Sequence, residues 1–272
     1  LAAAFKLSSK SLSLGPHEQT SWSIFQDICR TIGAQNLQLE PADAWNMLLL
    51  FGIQNDYFYA TKESWSLIKS ALETTENFKE LIKQTEDKDD RSGRILSCAC
   101  ANPLLLEFIS RSATADIAAE QLLKRLRLKC LSLYSQEKEN PDYISVTSAI
   151  GLTCWWNGYI YTETPEETLV VNTLEVELAA YLRLKKCPPA GLLSLLACYR
   201  RLHGYIRSAS YPEVNQRDNP FHRELLKQTV ENRNTENAIK LTIKTVGCVT
   251  DEISKNVMEQ YEEHPFPAWN KR

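Results

Sequence analysis

Nine glycines in 272 residues, at positions 15, 33, 52, 93, 151, 158, 191, 204 and 247, constrain this chain more than any other feature. They are about 3% of the sequence, against roughly 7% in an average protein, and no two stand closer than seven positions. A turn that cradles a phosphate or a nucleoside needs glycines in a cluster. Its backbone must reach φ > 0 and approach the ligand without a Cβ in the way. The chain therefore carries no dinucleotide fingerprint, no Walker A loop and no glycine-rich adenosine loop. Scarce, scattered glycine also means little punctuation, and long unpunctuated stretches favour helices.

Apolar spacing agrees with that expectation. Trp22, Phe25 and Cys29 recur at three and four residues, as do Trp45, Leu48 and Leu49, and a stripe runs Trp65, Ile68, Leu72, with Phe78, Leu81 and Ile82 continuing or restarting it beyond the polar stretch Glu73 to Asn77. The charged stretch Glu86 to Arg94 holds no apolar residue and reads as a loop and an internal boundary. Beyond it the sequence predicts a helical pair at 95–101 and 103–110. A long helix follows, capped by Asp116, with Ile117, Leu122, Leu126, Cys130 and Leu133 inward and Lys124, Arg125, Arg127 and Lys129 on a solvated face. The run Ile144 to Tyr161 is dense in β-branched and aromatic residues, yet Val146, Ile150, Cys154 and Asn157 share one helical face, so helix is preferred to strand. Thr164-Pro165-Glu166-Glu167 opens another helix with a capping Thr, Pro at the first position and acids in the first turn; its stripe is Leu174, Leu178, Tyr181 and Leu182. Further helices are expected at 192–202, from Phe221 to about Glu231, and from Thr250 to Tyr261. The fold class is all-α, an irregular multi-helix arrangement, with one short β-like segment at 239–246. Three units are expected: 1–85, a main helical unit at 95–250, and 251–272.

Bulk chemistry excludes several function classes. Thirty-one basic against thirty-four acidic residues give a net charge of −3, which offers no footprint for nucleic acid or an anionic membrane. The longest apolar runs fall far short of the ~20 residues a membrane helix needs. The chain starts at Leu1, which reads as the cut or processed edge of a longer polypeptide. Eight cysteines occur in a long chain with no signal peptide, so buried, reduced thiols and a cytoplasmic address are expected. Cys98 and Cys100 form a C-x-C pair with no second knuckle, so no metal site is expected. Four histidines limit acid–base chemistry. Cys198 and His203, five residues apart on one helix, would point about 140° apart, so no catalytic residue is assigned. Trp155, Trp156 and Tyr159, with Tyr199 and His203, are candidates for a substrate or partner surface, because aromatics combine large apolar area with a polar handle.

The C-terminal stretch differs in kind. Tyr261-Glu262-Glu263-His264-Pro265-Phe266-Pro267-Ala268-Trp269 joins a helix end to prolines alternating with aromatics, which fixes an extended strap. QYEEHPFPAW resembles the QYEENPYPRW signature that precedes the catalytic domain of bacterial class I S-adenosylmethionine-dependent methyltransferases, often fused behind tetratricopeptide repeats. Four other segments resemble the accessory region of that family, in the same order. They are Asn102 to Leu106, the aromatic run ending in Tyr161-Thr162-Glu163-Thr164-Pro165-Glu166-Glu167, Ala197-Cys198-Tyr199-Arg200-Arg201-Leu202-His203, and Thr250 to Ser254. The likeness covers residues 40–270, with His264, Phe266 and Ala268 replacing the family's Asn, Tyr and Arg. The resemblance implies a non-catalytic, substrate-positioning accessory region between upstream helical repeats and a downstream methyltransferase domain. Tyr261, Pro265, Phe266 and Trp269 would form a strap over that domain's site, and S-adenosylmethionine would bind the full-length protein but not this chain. A protein or peptide substrate is compatible with this reading. Two alternatives remain open at this point: a stand-alone helical interaction module, and a helical hydrolase using Cys198 or the histidines.

Overall fold

A computed structural model describes residues 2–32, 42–57, 62–87, 93–111, 116–206, 219–244 and 251–263. The described chain is all-α, an irregular multi-helix assembly without strands among those residues. In order the helices are α1 (Ala2–Leu14), α2 (Gln19–Ile32), α3 (Ala42–Gln54), α4 (Lys62–Leu72), α5 (Glu76–Glu86), α6 (Arg94–Cys100), α7 (Pro103–Arg111), α8 (Ile117–Glu137), α9 (Pro141–Trp156), α10 (Pro165–Arg183), α11 (Ala190–Ala197), α12 (Pro220–Leu226), α13 (Asn232–Lys240) and α14 (Glu252–Glu263). No described helix is long and apolar enough to cross a membrane.

The architecture is organised around α9, which packs against α6, α7, α8, α11 and α12. Every residue from Val146 to Cys154 is buried, so over this stretch the helix has no solvent face. That explains why its apolar residues show so little helical periodicity. Its Ser and Thr hydroxyls stay satisfied by bonding back into the helix and across to its neighbours. Thr147 Oγ1 donates to Tyr143 O (2.7 Å) and lies 2.6 Å from Ser194 Oγ on α11, while Thr153 Oγ1 donates to the carbonyl of Ile109 on α7. Small residues permit the close approach: Gly151 lies against Ala197 of α11 and Leu225 of α12.

Asp116 and Thr164 cap α8 and α10 where the sequence predicts them, and α9 has a cap, Asn140, for which there is no such expectation. Asp116 accepts from Ala119 N at 3.0 Å to start α8, and Asn140 accepts from Asp142 N at 2.9 Å to start α9. Thr75 begins α5, so the stripe from Trp65 to Ile82 is two helices broken by a turn.

Four expectations require correction. The β-like segment at 239–246 is helical at its start: Ile239 and Lys240 close α13, and Thr242 N bonds back to Ile239 O at 2.8 Å in a turn. Residues 245 and 246 lie outside the described part. β-branched residues alone, with no strand to pair with, do not hold an extended ladder. The helix expected at 192–202 stops at Ala197, because Tyr199 and Arg200 leave the axis to pair with acids near the start of α10. The helix expected to end near Glu231 continues as a π segment, Lys227–Glu231, into α13. Ile117 lies 75% exposed rather than inward. The charged boundary at 86–94 falls partly on residues outside the described set, and one hydrophobic core runs continuously on both sides of it.

Candidate functional site

Arg127 was expected on the solvated face of α8, yet it is only 3% exposed. Lys124 and Arg125 do face solvent and Lys129 is half-buried, so the correction applies to Arg127. Its Nη2 donates to Glu167 Oε1 at 3.2 Å and to Thr162 O at 3.1 Å, and its guanidinium lies 4.4 Å over the Tyr199 ring and 5.8 Å from that of Tyr161. Tyr199 Oη donates to the same Glu167 oxygen at 3.0 Å. The second carboxylate oxygen accepts the Thr164 backbone N–H at 2.9 Å, and Thr164 Oγ1 accepts Glu167 N, completing a capping box at the start of α10. Glu167 was expected to do no more than complement a helix dipole. In fact it caps α10 and balances a buried cation, and burying that charge is tolerable only because the pair is hydrogen-bonded on both sides.

A second ion-pair layer lies outside the first. Arg200 is clamped by Glu163, with its Nη2 3.2 Å from Glu163 Oε2, and by Glu175, with its Nε 2.7 Å from Glu175 Oε1; Tyr205 Oη donates to the same Glu175 oxygen at 3.0 Å. The segments Thr162–Glu167 and Cys198–Tyr205, far apart in sequence, are thereby locked into one unit.

Next to this unit the C-terminal end of α9 presents aromatics. Gly158 and Tyr159 adopt positive φ (69° and 63°) and reverse the chain, with Tyr159 N donating to Cys154 O at 2.9 Å and to Asn157 Oδ1 at 3.0 Å. A non-glycine residue at positive φ is strained and must be held there by its surroundings. Trp155 meets His203 edge to face, with ring centroids 6.0 Å apart, and Arg233 lies 5.1 Å over the Trp155 ring. Of the five sequence-predicted surface residues, Trp155 and His203 come together and the others do different work. Tyr199 belongs to the buried ion pair. Trp156 turns the other way, donating to Ser110 O at 3.0 Å while remaining 41% exposed. The Tyr159 hydroxyl is buried with no hydrogen-bond partner among the described residues, and burial pushes its pKa upward. Arg233 escaped sequence reasoning, since it sits in a polar stretch that reads as a break. What brings it to Trp155 is the π segment that ends two residues earlier, and a π turn of this kind has no composition signature.

Five of the described thiols are ill suited to nucleophilic work. Cys198 is buried, donating to Thr147 O at 3.2 Å and Ser194 O at 3.3 Å, and burial pushes its pKa well up. Burial raises Cys29, Cys100, Cys130 and Cys154 to about 12, so none is a thiolate at neutral pH. His222 is also buried. Its Nδ1 lies 3.3 Å from Ser148 Oγ, and desolvation lowers its pKa to about 4. No cluster of three or more His, Cys, Asp or Glu suited to a metal ion occurs among the described residues.

The Asn102-Pro103-Leu104 segment lines a separate groove of about 450 Å³ with Asn46, Met47 and Thr75. There the Asn102 amide donates to Cys98 O at 2.7 Å and accepts from Thr75 Oγ1 at 3.4 Å. Of the strap, Tyr261 falls within α14, and Pro265, Phe266 and Trp269 lie outside the described residues. No protein-family model, curated protein or solved structure matches the chain.

Proposed function

We propose that this chain is a non-catalytic accessory region of an S-adenosylmethionine-dependent methyltransferase, holding substrate beside a catalytic domain that follows it in the polypeptide. The Tyr261, Pro265, Phe266 and Trp269 strap leads into that domain and covers its cofactor mouth. The observation that carries the reading is α14. It starts on the Asp251 carboxylate, which accepts Ser254 N at 2.8 Å, yet Ile253, Val257 and Met258 are 73%, 44% and 41% exposed. Ile253 and Val257, four residues apart, form an apolar stripe that leads directly into the strap, as a helix docking on a following domain requires.

The described residues do not fit the cofactor themselves. Gly93 and Gly158 are the described glycines at positive φ, and each stands alone. On this reading adenosine binding belongs to the downstream domain. What the chain contributes is rigidity and a surface: the Arg127–Glu167 and Arg200–Glu163 pairs fix the Trp155, His203 and Arg233 face, where a substrate would bind by stacking and charge. Upstream helical repeats would add to the same substrate path.

The reading frame beyond Arg272 is the direct test. An acidic-x-Gly-x-Gly loop within the next few tens of residues is expected, and a stop codon immediately after Arg272 would overturn the reading. In the full-length protein, Ile253→Asp with Val257→Asp should reduce methyl transfer while leaving the melting of the helical body unchanged.

A further inference from the structure

The outer face of α10 carries a second seam. Its inner face supplies Val171, Leu174 and Leu178 to the core and rests on α8 and α11. On the opposite side, Glu166, Leu169, Thr173, Val176, Ala180 and Arg183 recur at alternating spacings of three and four, the spacing of a coiled-coil seam. Leu169 and Val176 are each 71% exposed, and Val170 and Leu184 beside them are 41% and 61% exposed. A 19-residue helix is about 28 Å long, and along it the seam sets Leu169, Val176 and Ala180 as apolar positions with Thr173 among them and one acid and one base at its ends.

The order of residues along the strip identifies its occupant. Turned end over end, the seam is its own complement. Against an antiparallel copy, Glu166 faces Arg183, Leu169 faces Ala180, and Thr173 faces Val176, so opposite charges meet at both ends, Leu meets Ala in the next layers, and two β-branched side chains of similar size meet at the centre. About a two-fold axis each flank meets its own copy, so Val170 lies nearest Glu177 and Asn172 nearest Ala179, with no like-charged pair. A parallel copy would set Glu166 on Glu166 and Arg183 on Arg183, which is repulsive. Antiparallel helix dipoles favour the same arrangement. We infer that the outer face of α10 pairs with the α10 of a second copy of this chain about a two-fold axis, making an isologous dimer. Two helices crossing along one seam bury less than a standard interface, so the dimer is reversible, with a dissociation constant on the order of micromolar. This inference is independent of the methyltransferase reading.

Sedimentation equilibrium of the 272-residue chain, from low to several hundred micromolar, tests it. A monomer–dimer equilibrium is expected, abolished by Val176→Glu with the thermal melt unchanged, because the substituted residue lies on an exposed face. Glu166→Arg and Arg183→Glu should each weaken association roughly tenfold, since two-fold symmetry converts two attractive pairs into two repulsive ones. The double reversal should restore it to within about threefold of the parent. Each reversal also opposes the helix dipole, and the double variant does so twice, so restoration cannot come from a steadier helix. A chain that stays monomeric throughout overturns the inference and leaves the face to a different protein's helix. A dimer that survives Val176→Glu, or a double reversal that fails to restore pairing, overturns it as well.

Discussion

Arg127 lies four residues after Leu123 and three before Cys130, so on a helix of 3.6 residues per turn it sits in an apolar row. Counting it with Lys124, Arg125 and Lys129 as a solvated cluster overlooks that row; a basic residue there requires a carboxylate from elsewhere, and Glu167 supplies it. Removing one partner of such a pair strands the other. Arg127→Met should therefore lower unfolding free energy by about 3–5 kcal/mol, while Arg127→Met with Glu167→Gln, which keeps the cap on α10, should lose distinctly less. Urea midpoints of the three proteins check this, and a double variant worse than the single one would contradict it. His222 makes a pH prediction. Its imidazole stays neutral in the fold down to about 4, against 6.5 in the unfolded chain, so the unfolded state binds the extra proton between those values. Its contribution is complete above about pH 6.5 and declines as pH falls, by roughly 3 kcal/mol once pH reaches 4. Unfolding measured from pH 7.5 to 5 should show that slope in the parent chain and a flatter one in His222→Asn.

At the level of elements, the sequence revealed most where a helix has two distinct faces or an explicit cap. Asp116 and Thr164 mark the starts of α8 and α10, and the stripe containing Leu174 and Leu178 marks the buried face of α10. It revealed least where tertiary pairing overrides local preference. Arg200 ends α11 early because Glu163 and Glu175 lie off the helix axis, and the π segment before α13 turns Arg233 onto Trp155. Both depend on partners more than twenty residues away or on one inserted residue, and neither alters composition. Gly191 makes this override measurable. Alanine ordinarily gains about 1 kcal/mol over glycine inside a helix. At 191, however, an added Cβ would sit 2.1 Å from the Lys138 carbonyl oxygen, a backbone atom in the turn between α8 and α9. Gly191→Ala should destabilise the protein by about 2 kcal/mol, reversing the usual sign, since α11 must move off that turn. Gly204→Ala, with nothing within 4 Å of its Cβ position, is the control and should change the urea midpoint little.

At the scale of the whole molecule, the charged stretch at 86–94 interrupts the sequence but not the packing. α5 packs on α6 and α8, α3 and α4 pack on α7, and Trp65 bridges the two sides directly. Its Nε1 donates to Asp116 Oδ1 at 3.0 Å and its ring stacks on Phe108 at 5.4 Å, so it fixes both the α8 cap and the α7 face that supports α9. Two units that merely touched would respond separately to damage on one side. A single core would lose protection on both sides together. Trp65→Ala removes a large aromatic from a site 3% exposed, at a cost of about 3–5 kcal/mol. Hydrogen exchange on the variant should therefore show faster exchange in α7 and α9 as well as in α4, with the buried backbone of α9 losing protection by a similar factor. Faster exchange confined to α1–α5 would instead show that the chain divides near residue 90 and that α9 organises the C-terminal part alone.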